Sequence, residues 1–296
     1  MLNLPLRYPG GKTQLVNYIE SFIRANDLVG CTIYEPYAGG AAVSLNMLDR
    51  DLVTRAIINE KDPLIYCFWK SVFEHTEELC ELIDRTVINL TNWREMAKYR
   101  DPAFCVNKSI VRIGFACLFL NRTSFSGLLI SNPLGGWKQI SEYKIDCRFN
   151  KDKLIKHIHS ISRFKQQVCV INGDALDFMK MRIKYKPNRK FFVYIDPPYY
   201  LQGKNLYRFY YTIDQHQDLS KYLLSKTFPW LLSYDQHDFI KHLYEQKHET
   251  SDKLYFQNTY FDYSVRFSKS RQAELLISNR ELPPPLQLVV KKISNS

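Results

Sequence analysis

The sequence has no apolar run long enough to cross a membrane and no CxxC pair of cysteines. A membrane-spanning helix needs roughly 20 consecutive apolar residues, so none is predicted. The seven cysteines are scattered and odd in number, which argues against a disulfide framework and against a zinc knuckle. The first residues, MLNLPLRYPGGK, lack the charged-then-apolar order of a secretory signal. We therefore expect a cytoplasmic protein without a metal site.

Acidic residues are the minority among the charged side chains. The sequence has 41 lysines and arginines against 30 aspartates and glutamates, a net charge of +11 at pH 7. Such an excess favours binding to a polyanion, either nucleic acid or an anionic membrane surface. Hydrophobic residues make up 45% of the 296 residues, so the chain can bury a sizeable core in one large domain or two unequal ones.

Short apolar stretches alternate with helical patterns over most of the chain. A strand, a turn and a helix are predicted in CTIYEPYAGGAAVSLNML, TRAIINEKDPLIYCFWK and QQVCVINGDALDFM, and FFVYIDPPYY adds a buried strand. This alternation predicts an α/β fold with a doubly wound, Rossmann-like parallel sheet. The segments PWLLSYDQ and KLYFQNTYFDYSVRFSKSRQAELLISN predict the last strands of the same sheet.

Residues 76–165 interrupt this alternation. They predict helices followed by NRTSFSGLLISNPLGGWKQISEYKIDCRFNK, which is rich in glycine, serine, asparagine, aromatic and basic residues. We interpret them as an inserted, mostly helical domain that carries a hairpin. Residues 1–75 and 166–296 then form the two parts of the main domain.

Polar residues follow the predicted strands repeatedly, in Glu35–Ala41, Asn59–Glu60, Asn172–Asp174 and Asp196–Tyr199. Ligands of open parallel sheets bind beyond the carboxyl ends of the strands. The glycine turn is not GxGxxG and no P-loop lysine follows it, so nucleotide phosphates are not the expected ligand. Glu60 fits two roles equally well: an acceptor for ribose hydroxyls, or an acid that complements the start of a helix.

An acid followed by two prolines and a tyrosine, Asp-Pro-Pro-Tyr, is hard to explain as an ordinary strand end. Proline has no backbone donor and keeps the preceding residue extended, so the chain after Asp196 presents acceptors only. Tyr199 and Tyr200 add flat aromatic faces. A primary aromatic amine, such as that of adenine or cytosine, needs both acceptors and a stacking partner. The alternative is a turn that only ends the strand.

Several segments together resemble the Dam-like DNA adenine (exocyclic amino) methyltransferases of the DPPY type. In chain order they are RYPGGK, EPYAGGA, NEKD, the insert's FLNRTSFSGLL, YIDPPY and AELLISN. The resemblance runs from Leu6 to about Asn279. It implies S-adenosylmethionine as the methyl donor and double-stranded DNA as the substrate.

The resemblance also implies a role for individual residues. The cofactor would be bound by three groups of residues and by one acid shared with catalysis: Tyr8, Gly10, Gly11 and Lys12; Glu35, Pro36, Tyr37, Gly39 and Gly40; Glu60 and Asp174; and Asp196. The catalytic motif would be Asp196, Pro197, Pro198 and Tyr199. The insert would supply the DNA contacts, with Arg122, Ser124, Phe125, Ser126, Ile130, Trp137 and Lys138 as candidates.

The sequence departs from the family pattern at three positions. Ala41 stands where the family's glycine turn has its second glycine, and we expect alanine to be tolerated there by helical geometry. Ser126 and Ile130 stand where members that read GATC carry asparagine and arginine. Without the guanine-reading arginine, GATC is not the expected target.

The sequence thus predicts a monomeric, site-specific DNA adenine methyltransferase of a restriction–modification or Dam-like system, with a cognate restriction endonuclease as a possible partner. Methylation of the cytosine 4-amino group or of RNA is the alternative within enzymes. A catalytically silent DNA-binding regulator on the same fold is the alternative outside them. The sequence does not determine the recognised site.

Overall fold

The computed structural model describes residues 2–7, 15–184, 189–201, 203, 208–245, 253–265 and 268–284. Their centre is a seven-stranded sheet with the order β3-β2-β1-β4-β5-β7-β6. The strands are β1 (Cys31–Glu35), β2 (Val53–Glu60), β3 (Val168–Asn172), β4 (Phe191–Ile195), β5 (Trp230–Asp235), β6 (Tyr255–Val265) and β7 (Ser268–Ser278). The first five are parallel to one another, and β7 is antiparallel to β5 and β6. The predicted α/β fold with a Rossmann-like sheet is confirmed.

Helices connect the strands and cover the sheet. They are α1 (Val16–Ala25), α2 (Ala42–Asp49), α3 (Pro63–Glu74), α4 (Thr76–Arg85), α5 (Leu90–Ala97), α6 (Pro102–Cys105), α7 (Ile110–Thr123), α8 (Lys151–Ser162), α9 (Ala175–Arg182), α10 (Ile213–Leu224) and α11 (Asp238–Glu245). Within the described ranges, no helix is long and apolar enough to span a bilayer.

Local sequence signals explain where the helices nearest the sheet edge begin. Asp62 caps α3 by accepting the N–H of Leu64 at 3.0 Å, and Pro63 takes the first helical position, where no donor is needed. Thr212 and Gln215 form a capping box at the start of α10. The Asp62 cap fixes the chain direction immediately after β2 ends, and the capping box fixes the start of the helix that leads to β5.

The order of the strands creates a switch point between β1 and β4. From β1 the chain winds outward through β2 to β3, and it then returns to place β4 on the other side of β1. All five residues of β4 are buried, as expected for a strand covered on both faces. A crevice beyond the carboxyl ends of β1 and β4 is where a doubly wound sheet binds ligands.

The predicted insert packs against α3 mainly through α7, with smaller contacts from α4 and α8. Gly114 of α7 lies so close to α3 that an added Cβ would be 2.6 Å from the carbonyl oxygen of Cys67. Phe68 of α3 and Phe119 of α7 belong to the same continuous hydrophobic core. The hairpin expected within the insert consists of one antiparallel bridge between Ser124 and Pro133. The insert is therefore mostly helical and shares its core with the sheet domain.

Candidate active site

The carboxyl ends of the parallel strands line a cavity of about 600 Å³. Glu35 and Glu60 end β1 and β2, while Asp174 and Asp196 follow β3 and β4 directly or within two residues. Parallel strands place such residues at one edge of the sheet, which is why acids far apart in sequence meet here. Small-molecule and cofactor sites measure about 300 to 1,000 Å³, so this cavity has the size of a cofactor site.

The glycine turn after β1 is held from several directions. Gly39 donates its N–H to Glu60 Oε2 at 2.9 Å, and its carbonyl accepts the indole N–H of Trp69 at 2.8 Å. Ala41 has φ 48°, which is a left-handed conformation, so the expectation of helical geometry at this position is wrong. A left-handed conformation costs a non-glycine residue roughly 1–2 kcal/mol. The buried methyl of Ala41 and its N–H bond to Ala38 O hold that conformation in place.

Glu60 serves the protein backbone and also faces the cavity. Its Oε1 accepts the N–H of Asp62 at 2.9 Å, next to the start of α3, while Oε2 accepts that of Gly39. Burial raises the pKa of Glu60 to about 7. A carboxylate has about four lone-pair positions, so this side chain can accept further bonds from a ligand. The two roles weighed for Glu60 are thus compatible.

Glu35 is the most deeply placed acid of the cavity. Only 3% of it is exposed, and its Oε2 accepts the N–H of Ser44 at 3.1 Å. Burial raises the pKa of Glu35 to about 8, and the negative charges of Asp196 and Glu60 add to the effect. Among the described residues, neither Glu35 nor Glu60 forms an ion pair with a lysine or arginine.

Asp174 caps α9 at the rim of the cavity. Its Oδ1 accepts the N–H of Leu176 at 2.9 Å, and its Oδ2 lies 3.0 Å from the ammonium of Lys61. Partial burial opposes its ionisation, but the bond to Lys61 and the helix N–H groups outweigh this and lower the pKa of Asp174. Asp174 is therefore a charged acceptor at neutral pH.

The neighbouring strands hold the Asp-Pro-Pro-Tyr motif at each end. Asp196 Oδ1 accepts the hydroxyl of Ser233 at 3.1 Å, and the Tyr199 hydroxyl donates to Glu274 Oε1 at 2.7 Å. The next two N–H groups, of Tyr200 and Leu201, donate to the carboxylate of Asp235 at 2.9 and 3.0 Å. Pro197 is buried, and Asp196 and Pro198 line the cavity.

Two side chains after this motif close the cavity, and sequence reasoning missed both. Arg208 Nη1 lies 2.8 Å from Asp62 Oδ1, and its Nη2 donates to the carbonyl of Arg100 at 2.7 Å. The Tyr211 hydroxyl lies 2.7 Å from that of Tyr37. Both residues lie in a stretch without a recognisable motif. Only the fold brings them over the strand ends.

Each described cofactor candidate lines this cavity. They are Glu35, Pro36, Tyr37, Gly39, Gly40, Glu60, Asp174 and Asp196. The candidates Tyr8, Gly10, Gly11 and Lys12 lie outside the described residues. Within the described ranges, no three His, Cys, Asp or Glu side chains are grouped so that they could hold a metal ion.

Residues 8–257 match the family model of the D12 class N6 adenine-specific DNA methyltransferases. The chain belongs to this family. The match includes the glycine turn, the acids of the cavity and the Asp-Pro-Pro-Tyr motif, so the resemblance inferred from the sequence is confirmed.

Individual proteins are also similar to this chain. The chain is 28% identical over 207 residues to the type II methyltransferase M.MjaIII of Methanocaldococcus jannaschii, which covers 66% of this chain and 68% of the relative. Solved structures include a putative methyltransferase, yhhF, of Escherichia coli (9% identity, 94% and 90% coverage, TM-score 0.36). A precorrin-6y C5,15-methyltransferase of Geobacter metallireducens gives 10% identity, 90% and 87% coverage and a TM-score of 0.33.

The candidate DNA-binding residues of this D12 family member fall into two groups. Arg122 and Ser124 point inward: Arg122 Nε donates to Pro5 O at 2.6 Å, and Ser124 accepts the indole N–H of Trp93 at 3.2 Å. These contacts hold the insert and the N-terminal segment together. Exposed side chains form the second group, namely Phe125, Ser126, Ile130, Trp137 and Lys138.

Asn121 is a further residue that sequence reasoning did not single out. Its Oδ1 accepts the N–H of Arg7 at 2.8 Å, and its amide donates to the carbonyls of Arg7 and Gly127 at 2.8 Å each. Gly127 has φ 75°, and an added Cβ would lie 2.9 Å from Arg7 O. One buried amide therefore ties the loop after α7, around Gly127, to Arg7, the first residue of RYPGGK.

Proposed function

We propose that this protein transfers the methyl group of S-adenosylmethionine to the exocyclic 6-amino group of a flipped-out adenine at a specific site in double-stranded DNA. The observation that carries the proposal is the position of Asp196 and its motif. They lie at the β1–β4 switch point, on the wall of a cavity that gathers four strand-end acids. Membership of the D12 family supports adenine as the base.

The charge of the cavity suits a cationic cofactor. Among the described residues, five acids line the cavity, namely Glu35, Glu60, Asp62, Asp174 and Asp196. Three basic residues line it as well, namely Arg7, Lys61 and Arg208. Asp62 and Asp174 are already paired with Arg208 and Lys61. S-adenosylmethionine carries an ammonium and a sulfonium group, so its binding would lower the raised pKa values of Glu35 and Glu60 and favour their charged forms. Glu60 would hold the ribose hydroxyls, and Asp174 the adenine edge.

The bound cofactor supplies an electrophilic methyl group. The protein has to make the target amine nucleophilic, because the amine's lone pair is delocalised into the adenine ring. Asp196 and the Pro197 carbonyl would accept its two N–H groups, which favours a pyramidal nitrogen and frees the lone pair for attack. The same fixed acceptors stabilise the positive charge that develops on the nitrogen. Tyr199 would stack on the base and align it.

The exposed part of the insert would bind DNA. A base edge inside a duplex cannot reach Asp196, so the adenine must leave the stack. Phe125 is 63% exposed and projects from the recognition loop, where an apolar side chain can fill a disrupted base step. Ile130 lines the cavity and is 45% exposed, and it has no donor with which to read guanine. These residues support a target other than GATC.

We also propose that the enzyme acts in the cytoplasm as a monomer and belongs to a restriction–modification system. The description of the relative from Methanocaldococcus jannaschii as a type II methyltransferase supports this. A cognate endonuclease that cuts the same site would then be the partner. Sequencing of modified bases in DNA from cells expressing the protein would identify that site.

Replacing Asp196 with alanine is the direct test of the mechanism. We expect the methyl-transfer rate to fall by about 100- to 1,000-fold, because the variant loses a fixed charge acceptor at the reacting amine. DNA binding should be largely retained. Asp218→Ala, at an exposed position of α10, is the matched control and should keep the wild-type rate. An Asp196→Ala variant of wild-type activity would overturn the mechanism.

Product analysis separates this proposal from its alternatives. Radiolabelled methyl groups should appear in 6-methyladenine of unmethylated duplex DNA. Label in 4-methylcytosine or in RNA would identify one of the other enzymes. Binding of DNA without any transfer, with the cofactor bound, would identify a silent regulator.

A further inference from the structure

We propose that Ser233 and Glu274 are positioning residues of the methyl-transfer reaction, with Ser233 orienting Asp196 and Glu274 orienting Tyr199. Neither residue belongs to the Asp-Pro-Pro-Tyr motif or lines the cavity. The inference rests on the proposed function, because it concerns the two side chains that would hold the target adenine.

Strand register explains why Ser233 meets Asp196. In the parallel pair of β4 and β5, Ile195 lies opposite Leu232, so the next residues along each strand are again neighbours. Ser233 is fully buried and reaches Asp196 Oδ1 at 3.1 Å. Its position is therefore set by the sheet itself rather than by a loop.

Tyr194 extends this contact into a chain of hydroxyl groups. Residues two apart on a strand share a face, so Tyr194 and Asp196 approach Ser233 from the same side. The Tyr194 hydroxyl lies 2.9 Å from Ser233 Oγ and is buried. An ionised carboxylate only accepts hydrogen bonds, so Ser233 donates to Asp196 and Tyr194 donates to Ser233. Both hydroxyl groups therefore donate in the direction of Asp196. These hydrogen bonds restrict the rotation of the Asp196 carboxylate about its Cβ–Cγ bond.

The antiparallel strand β7 provides the second contact. Glu274 lies opposite Asp235 at the end of β5, because β7 runs against the other strands and passes their carboxyl ends near its middle. Glu274 is 3% exposed and accepts the Tyr199 hydroxyl at 2.7 Å. A buried carboxyl acceptor at this distance limits both the tilt and the swing of the ring. The face of Tyr199 would thus be set before DNA arrives.

Two substitutions remove these contacts without touching the reacting groups. Ser233→Ala deletes one hydroxyl, and Glu274→Leu replaces the acceptor with an apolar side chain of similar size. We expect each to lower the single-turnover rate of methyl transfer about tenfold, the effect of losing one hydrogen bond to a charged group. The dissociation constant of S-adenosylmethionine should change less than about twofold, because neither residue lines the cofactor cavity.

Matched variants separate positioning from general stability. Ser278→Ala removes an equally buried hydroxyl from β7. This hydroxyl donates to Trp230 O at a distance of 2.6 Å and does not contact the motif. The variant should therefore keep the wild-type rate. Glu274→Gln keeps an acceptor oxygen and should retain most of the rate. In a Tyr199→Phe background, Glu274→Leu should cost nothing further, since the bond between the two side chains is already gone.

The assay uses the full-length protein and unmethylated plasmid DNA, with rates normalised to cofactor-binding sites. Wild-type rates in Ser233→Ala and Glu274→Leu would overturn the positioning roles, as would an equal loss in Ser278→Ala. An additive loss in the Tyr199→Phe background would overturn the role of Glu274. A wild-type protein that binds the cofactor but transfers no methyl group would instead reject the proposed function itself.

Discussion

At the scale of single residues, two buried glutamates define the cavity. Glu35 and Glu60 end neighbouring parallel strands, and the described residues offer neither of them a basic partner. The sequence identified both acids from their place after an apolar stretch. It could not show that they are buried, because burial depends on helices and loops that come from distant parts of the chain. That burial keeps their pKa values well above the ordinary range.

We predict that Glu35 and Glu60 make the unliganded protein less stable as pH rises. Their folded pKa values of about 8 and about 7 exceed the ordinary 4.5, so the folded state holds more protons than the unfolded state between these limits. Stability must then fall as pH rises from about 5 to about 8. Glu35→Gln should gain stability relative to wild type over this range, on the order of 1–3 kcal/mol at the upper end.

Denaturant unfolding of Glu35→Gln and of the wild type at about pH 5.5 and about pH 8 checks this prediction. Only pH differs between the two measurements, so a change in the stability difference between the two proteins reports the titration of Glu35. Glu95→Gln is the control, because Glu95 is exposed on α5 and should leave the pH dependence unchanged. A constant difference between Glu35→Gln and wild type at both pH values would contradict the assigned burial of Glu35.

At the scale of elements, the contact between α3 and α7 joins the cavity at the strand ends to the loop proposed to bind DNA. Helix α3 begins at Asp62 on the cavity, and α7 ends at the recognition loop. Because Gly114 has no side chain, the backbone of α7 approaches α3 closely at this position. A Cβ there would also lie 2.5 Å from Ser71 Oγ. The sequence predicted residues 76–165 as a separate inserted domain. The division of the chain into domains stays a prediction, while the shared core is a property of the fold.

Gly114→Ala is predicted to destabilise the protein by about 1–3 kcal/mol, because the added methyl group meets the Cys67 carbonyl and forces the helices apart. The unfolding midpoint in urea measures this loss. Gly173→Ala is the control, since its Cβ would meet only Asn59 Oδ1 at an ordinary 3.6 Å. Equal midpoints for the two variants would show that α7 does not pack on α3 as described.

At the scale of the whole molecule, charge and topology act on different parts of the function. The net charge of +11 attracts DNA without selecting a sequence. The sheet order places the Asp-Pro-Pro-Tyr motif, the cavity acids and Glu274 at one edge, although Glu35 and Glu274 are 239 residues apart in the chain.

We predict that DNA affinity falls by orders of magnitude when salt rises from about 50 to about 200 mM, because bound phosphates release counterions. Fluorescence anisotropy with duplex DNA measures the slope of log affinity against log salt. Asp196→Ala should have the wild-type slope, since Asp196 faces a base rather than a phosphate. A salt-independent affinity would contradict the electrostatic part of the proposal.

The sequence by itself determined the fold class and the family, and it predicted the catalytic motif, because these depend on local signals: apolar periodicity, the glycine turn and the acid followed by two prolines. It did not reveal Ser233, Glu274, Arg208 or Asn121 as parts of the site. Ser233 and Arg208 lie outside the segments that carry the resemblance, and Asn121 and Glu274 lie within them without a role that local sequence could assign; each reaches its partner across 37 to 146 residues of chain. The left-handed Ala41 also follows from its surroundings. Only the tertiary structure decided these features, since strand register and helix packing set which distant side chains come within hydrogen-bonding distance.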